Sequence, residues 1–474
     1  LIELTNHSSI FIYSINGFIY EGTVFTRLGR TNFVLNYYSM NKSRVIILGA
    51  GFAGLQLARR IRNAAYEIIL IDQYNFHQFQ PLFYQVATAR LEPSAISFPL
   101  RKVFQGEKNI HVRIACVDEI DTQKQIVKTT EGDFEYDHLV IATGCTTNFF
   151  GNKNIEQHSF PMKSTIDAIA LRNRILLNFE DALNAGPGDI DSIMNIVVAG
   201  GGPTGVELAG ALAEMKKNVL PKDYPDMDFS RLNIYLVEGL HNTLANMSKA
   251  SQDKSKEYLE LLGVKLLVDT LVQDYDGTQI TFKNGTTLKT KTLIWTAGVK
   301  ASVPNGIPKE VMVRGGRIQV DEYNKVKGLQ NVFAIGDVAY METAEWPKGH
   351  PQLANVAINQ AKNLAANMKS MLQKKKLKPF KYKNPGTMAT VGKRKAVVDL
   401  PAFSFQGVFA WLTWMFLHLM LILSVKNKLI IFINWAISYF TNDTTLRLIL
   451  LPSKKQVELA DDHHFFHAEA VLEK

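Results

Sequence analysis

Two glycine-rich turns, each set between an apolar strand and a helix, constrain this chain more than any other feature. The first is VIILGAGFAGLQLA, residues 45–58, and the second NIVVAGGGPTGVELA, residues 195–209. In each, a β-branched run ends in GxGxxG and an apolar helical stretch follows. The first glycine of such a turn permits the tight bend, the second lets backbone approach a pyrophosphate, and the third lets helix and strand pack closely. These are Gly49, Gly51 and Gly54 in the first unit, and Gly200, Gly202 and Gly205 in the second. The phosphates would lie at the helix N-terminus, where unpaired N–H groups and the helix dipole favour anions.

Each unit also has its acid. Asp72 closes the strand YEIILID and is placed to accept hydrogen bonds from a ribose. Glu238 ends NIYLVEG, further along because KKNVLPKDYPDMDFSR is inserted on the crossover. A carboxylate there bonds ribose hydroxyls and repels a 2′-phosphate, which favours NADH over NADPH. Two dinucleotide sites in one chain point to a flavin in one and a nicotinamide in the other, so that hydride passes between stacked rings.

The rest of the chain fits around these units. RVIILG, YEIILID, HLVIATG, NIVVAG, NIYLVEG, VKLLV, TLIWTAG and NVFAIGD read as strands separated by helical stretches, the pattern of parallel sheets covered on both faces. The fold class expected is α/β, with two Rossmann-like domains, the flavin domain interrupted by the nicotinamide domain, and a C-terminal amphipathic helical anchor. The expected divisions are 40–160 and 301–400 for the flavin domain, 161–300 for the nicotinamide domain, and 401–474 for the anchoring region. Residues 1–39 show neither a basic start nor a cleavage site of small residues, so they do not read as a signal peptide. They are expected to be a disordered or non-native upstream segment, with the functional start at Met40.

Composition excludes several chemistries. The two cysteines, Cys116 and Cys145, have no CxxC spacing and no adjacent His/Cys cluster, which argues against a disulfide framework, a metal site and a dithiol centre. The net charge of +9 is compatible with an anionic surface, and six lysines crowd KKKLKPFKYK, residues 374–383. Because that run shortly precedes an apolar segment, anionic lipid is the favoured partner and nucleic acid is not.

Two further motifs place the flavin. YDHLVIATG, with Ala142, Thr143 and Gly144, and NVFAIGDVA, with Gly336 and Asp337, resemble the ATG and GD motifs of two-dinucleotide-domain flavoproteins. The resemblance implies FAD in the first domain, with Asp337 on its ribityl or pyrophosphate part. Where disulfide-reducing members carry a cysteine pair, this chain reads QYNFHQFQPLFYQVAT, residues 73–88. That segment resembles the NxHxFxPLLYQVAT stretch of type II NADH:quinone oxidoreductases. The likeness continues through GGGPTGVELAGALAEM, PQLANVAINQAKNLAANM and GTMATVGKRKAVVDL, and covers about Lys42 to Pro452.

From this resemblance follow an activity and a set of residues. It implies transfer of two electrons from NADH through FAD to a membrane quinone, ubiquinone or menaquinone, in a respiratory chain. It also implies a homodimer on the cytoplasmic face of a bacterial inner membrane, an organellar inner membrane being the lesser possibility. Gln85 and Val86 are expected to line the isoalloxazine. Glu207 is expected near the nicotinamide–flavin contact to assist proton movement, and Lys395 to lend positive charge. The family's AQxAxQQ quinone pattern appears as Ala354, Asn355, Ala357, Asn359 and Gln360, with asparagine replacing two glutamines. His77 is expected to be a structural histidine. Nothing in the sequence offers a proton channel across a bilayer.

Two alternatives stay open. Cys145, directly after the ATG motif, keeps a sulfide:quinone reductase in view, with Cys116 expected on a distant strand. A redox-responsive adaptor that binds FAD and NADH without turnover is the other. The segment VFAWLTWMFLHLMLILSVKNKLIIFINWAISYF, residues 408–440, bears on both. Its uncharged part, Val408 to Val425, would be about 27 Å long as a helix, just short of a hydrocarbon core of roughly 30 Å. Trp411, Trp414, Trp435 and Tyr439 are expected at the headgroup boundary, His418 would be awkward at mid-bilayer, and a monotopic anchor that also admits the quinone is the expectation.

Overall fold

The computed structural model of the chain describes residues 42–441, 443 and 446–451, together with four upstream strands, Leu4–Thr5, Ser8–Ile15, Phe18–Arg27 and Arg30–Tyr38. Met40, and the tail from residue 452 on, lie outside the described residues. The four upstream strands pair as one antiparallel sheet, where disorder was expected.

The first five-stranded sheet runs in the spatial order Val332–Ala334, His138–Ile141, Ser43–Leu48, Tyr66–Asp72, Ile110–Ile114, all parallel. The second runs Phe160–Pro161, Thr292–Trp295, Asn195–Ala199, Asn233–Val237, Lys265–Leu267, also parallel. Their strands are continuous apolar runs because both faces are covered. Val45 to Leu48 are wholly buried, as are the corresponding Val197 and Val198. Every expected strand forms, and the glycines at their ends fall in the turns that follow.

Strand order in the chain shows the interruption. Val332–Ala334 completes the first sheet only after the second has been made, and it pairs with His138–Ile141 across that whole insertion. The two crossings between sheets, Cys145–Thr147 and Val299–Ala301, pair antiparallel, with Cys145 opposite Ala301 and Thr147 opposite Val299. Helix Phe52–Ile61 packs against helix Ala354–Leu372 over the first sheet.

The C-terminal part is a three-stranded antiparallel sheet, Thr387–Gly392, Lys395–Asp399 and Ser404–Gln406, followed by helices Val408–Leu421 and Val425–Thr441. The uncharged run does not form one helix. Ile422 adopts extended backbone and ends the first helix, so no described helix is long and apolar enough to cross a membrane.

The two glycine turns perform the roles their spacing predicts. Gly49 has φ +93°, and a Cβ there would stand 2.5 Å from the Ala142 carbonyl oxygen, while one on Gly54 would stand 1.8 Å from the Gly49 oxygen. Gly200 and Gly205 repeat this, with the Gly205 position 1.9 Å from the Gly200 oxygen. Gly51 and Gly202 differ: a Cβ on either meets no protein atom within 4 Å. The space beside them is left for something other than protein.

Substitutions in the first turn should therefore separate packing from binding. Gly54→Ala forces the helix off the strand and should cost about 3 kcal/mol of stability, read as a lowered melting temperature of flavin-free protein. Gly51→Ala should leave that melting temperature unchanged and lower the flavin retained on purification, read by absorbance. Equal melting losses in the two variants would contradict this division.

Candidate active site

A cavity of about 800 Å³ opens at the carboxyl ends of the first sheet. Its walls include Gly49 to Ala53, Asp72, Ala142 to Cys145, Gly336 and Asp337 from that sheet's loops, and Pro203, Thr204 and Glu207 from the helix after the second glycine turn. Ligands of open α/β sheets bind in this crevice.

The acids close the turns on themselves. Asp72 accepts from the Ala50 N–H at 2.6 Å and the Tyr74 N–H at 2.8 Å, and burial pushes its carboxyl up to about 6 despite both bonds. In the second unit Glu238 accepts from the Gly201 N–H at 2.6 Å and the Leu240 N–H at 2.8 Å. At the third strand end Gly336, φ +78°, donates its N–H to Gln360 Oε1 at 2.7 Å, which fixes the turn presenting Asp337.

Several expected residues stand elsewhere. Gln360 is 1% exposed and its amide is used by the Gly336 turn, so it supports the cavity from behind. Helix Ala354–Leu372 turns Ala354 and Ala357 to the cavity. Asn355 is exposed, and the half-buried Asn359 accepts from Lys362 at 3.3 Å on the helix's outer side. The helical period of 3.6 residues separates these amides from the alanines. Val86 is wholly buried in the core and does not line the cavity, because the short helix Phe83–Ala87 turns Phe83 and Tyr84 to it instead. Gln85 faces a second chamber. Lys395 lines neither space; Lys393, two residues before it in the same hairpin, does. His77 is the structural histidine expected, buried with Nδ1 on the Ala50 carbonyl at 2.8 Å.

The second chamber, about 80 Å³, lies between the helix Pro203–Asn218, the Thr387–Asp399 hairpin and the two C-terminal helices. Glu207, Tyr84 and Trp414 are among its walls, and Glu207 and Tyr84 line the large cavity too. The approach of hairpin to helix depends on Gly210, where a Cβ would stand 2.2 Å from the Val391 oxygen. That proximity brings the Thr390 N–H to Glu207 Oε1 at 3.3 Å, and the Trp414 indole also bonds the carboxylate. Burial outweighs both bonds and raises the Glu207 carboxyl to about 8, so it is neutral at pH 7.

The tryptophans correct a sequence expectation. Trp414 is 2% exposed and stacks on His418 with centroids 4.1 Å apart. Trp435 donates to Gln85 Oε1 at 2.8 Å, and Gln85 Nε2 donates to the Tyr84 hydroxyl at 2.9 Å. Trp411 stacks on Tyr439, whose ring also carries Lys393 and Arg394 at 4.6 and 4.8 Å. These rings roof the chamber; phenylalanines take the outer face, with Phe409 78% and Phe440 82% exposed. Their polar edges find partners inside, which settles their direction.

Sequence reading missed three residues here. His418 lines the large cavity; its Nδ1 donates to the Trp414 carbonyl at 2.7 Å, and burial lowers it to about 4, leaving Nε2 as a neutral acceptor. Arg90 pairs with Glu214 in the chamber wall, which also accepts from the Lys393 N–H. Their only sequence signal was a helical spacing, Glu207 to Glu214, that placed both acids on one face. Cys116, expected far off, lines the large cavity with Cys145, and the two are not joined in a disulfide.

A flavin dinucleotide fits these residues: an open phosphate turn at Gly51, an acid at Asp72, and a cavity long enough to pass the Asp337 turn and reach Glu207. The pyridine nucleotide-disulphide oxidoreductase family model matches residues 43–361, and an NDH2 C-terminal domain model matches residues 385–442. The chain is 33% identical over 416 residues to the type II NADH:quinone oxidoreductase Ndh of Mycobacterium tuberculosis, covering 84% of this chain and 89% of that one. It is 27% identical to the type II NADH:quinone oxidoreductase of Staphylococcus aureus over 76% of this chain and 90% of that one. The structure of NDH2 from Plasmodium falciparum in complex with NADH superposes with a TM-score of 0.80 at 21% identity, covering 87% of this chain and all of that one. The chain belongs to the type II NADH:quinone oxidoreductase family.

The raised Glu207 carboxyl has a measurable consequence. Between its ordinary value of 4.5 and about 8 the folded protein binds this proton and the unfolded chain does not. Stability from this group is therefore present below 4.5 and falls as pH rises to about 8. Glu207→Gln keeps a neutral acceptor and should remove that loss, so its melting temperature should gain on the wild type steadily from pH 5 to 8. A constant difference across that range would contradict a neutral Glu207.

Proposed function

We propose that this chain binds NADH at the second glycine turn, holds FAD in the large cavity to receive its hydride, and delivers two electrons to a membrane quinone admitted through the small chamber. The observation that carries this reading is Glu207, a neutral acid bounding both spaces. FAD, when bound, would supply the chemistry of accepting a hydride and giving up two electrons. Everything else is supplied by the chain.

Gly49, Gly51, Gly54 and Asp72 hold the adenosine half of FAD, and Ala142, Thr143, Gly144, Gly336 and Asp337 bracket its middle. Gly200, Gly202, Gly205 and Glu238 take NADH. Glu207 holds a proton at its carboxyl for the quinone oxygen, oriented by the Trp414 indole and Thr390 N–H. Trp435, Gln85 and Tyr84 form a hydrogen-bonded wall that positions the quinone headgroup and keeps bulk water out. Gln360 serves as a positioning residue, and Asn355, Asn359 and Lys395 have no part in the headgroup contact. In this reading the flavin unit comprises 40–160 and 301–400, and the NADH unit 161–300.

The outer phenylalanines and leucines of the C-terminal helices rest on the membrane. Phe409, Leu412, Phe416, Leu429, Phe432 and Phe440 are exposed on two short helices that cannot span, the form of an interfacial anchor. The six lysines of residues 374–383, all exposed and tethered by buried Phe380 and Tyr382, meet anionic headgroups. The protein works as a homodimer at the cytoplasmic face of a bacterial membrane, with ubiquinone or menaquinone as acceptor.

The placement of Cys116 and Cys145 together in the cavity wall supplies the one observation for a sulfide-oxidising reading. Anaerobic mixing separates the two: NADH should bleach the bound flavin within the turnover time and sulfide should not. A flavin bleached by sulfide alone would overturn the assignment, and one bleached by neither would point to an adaptor without turnover.

For the anchor, Phe409→Glu with Phe416→Glu should shift the protein from sedimenting to free in a vesicle assay with anionic lipid. NADH-to-ferricyanide activity should stay within about twofold, while turnover with a long-chain quinone in the vesicles falls at least tenfold, since about 2.5–3.5 kcal/mol attends each charge placed in the apolar layer. Retention of the double variant on the vesicles would contradict the assignment of this face.

A further inference from the structure

The walls of the large cavity carry an uneven set of charges. Asp72, Glu207 and Asp337 bring three carboxyls, and Lys163 is the one lysine or arginine among the described residues lining it. His418 adds no charge at neutral pH. A flavin dinucleotide brings a pyrophosphate of its own, and its reduction adds more negative charge.

Lys163 is held in place from two sides. It follows the edge strand Phe160–Pro161 of the second sheet, where Pro161 lies opposite Trp295, so it emerges at the carboxyl end beside the lining residues Thr296 and Gly298. Its N–H donates to Asp167 Oδ2 at 3.0 Å, the same carboxylate that closes the capping box of helix Thr165–Leu183. Its ammonium donates to Cys145 Sγ at 3.3 Å, and that thiol donates to Asp337 Oδ2 at 3.1 Å. Burial, with Asp337 beside it, pushes the Cys145 thiol up to about 12, so it stays protonated. A neutral thiol is a weak acceptor. It orients the ammonium without cancelling its charge.

We propose that Lys163 is the counter-charge of the isoalloxazine, and that it sets the reduction potential of the bound FAD. Hydride from NADH carries two electrons and one proton to the ring; NADH leaves as the oxidised cation, and the ring is left one unit more negative. A fixed ammonium favours that reduced form over the oxidised one. The N-terminus of helix Ala354–Leu372, reaching the cavity through Ala354 and Ala357, contributes the partial charge of its dipole. Among the described residues lining the cavity, Lys163 supplies the only whole positive charge.

The inference rests on FAD occupying the large cavity, and its test keeps the two apart. Purified holoprotein of the wild type, Lys163→Met and Lys163→Arg is titrated with NADH and with a reference dye, and the potential is read from the flavin absorbance. For Lys163→Met the equilibrium constant for flavin reduction should fall about tenfold, which for a two-electron couple is a potential lower by about 30 mV. Lys163→Arg should stay within roughly threefold of wild type. A Met variant that keeps FAD with an unchanged potential overturns the proposal. So does a folded Met variant that loses FAD, because the cation would then serve the pyrophosphate. If Lys163→Met does not fold, Lys163→Gln is read by the same criteria. Wild-type protein that carries no FAD at all would instead sink the placement of the flavin.

Discussion

One buried carboxyl, Glu207, sits where two spaces meet, and much of the molecule is arranged to put it there. The second glycine turn starts its helix, and the close contact at Gly205 seats that helix on the sheet. Gly210, beyond the last glycine of the second turn, lets the Thr387–Gly392 strand touch the same helix and lend a backbone N–H. The first C-terminal helix completes the surround with Trp414. Removing water from an acid raises its affinity for a proton, and each of these elements removes some. The helix after the second glycine turn and the first C-terminal helix thus share one titratable group.

The C-terminal helices show how an apolar segment divides its labour. Its hydropathy is high on every side, and the decisive property is which rings carry polar edges. Trp414 and Trp435 have N–H groups that need partners, and they face inward to Glu207 and Gln85. Phenylalanine and leucine have no such need and are left outside. The helix break at Ile422 then folds the two pieces over the chamber.

This division explains what was legible in the sequence. The glycine turns, their acids and the interrupted order of strands were readable because each is a local demand on backbone geometry, satisfied within a few residues. Glu207 was readable by its place in a motif. Asn355, Asn359 and Gln360 were misplaced because their roles depend on how helix Ala354–Leu372 is rotated against the first sheet, which spacing within the helix does not fix. The inward tryptophans and His418 depended on partners far away in sequence, as did Cys116, whose neighbours across the cavity come from other strands. Lys163 carried no pattern; only the absence of any other cation among the described cavity walls distinguishes it.

The account stands on the protonation of Glu207, and infrared difference spectroscopy of the holoprotein reads it directly. The carboxylic C=O stretch that disappears in Glu207→Gln should be present at pH 7 and should titrate away near pH 8. If that band is already absent at pH 6, Glu207 is an ordinary carboxylate, and it cannot hold the proton that this structure places between the two cavities.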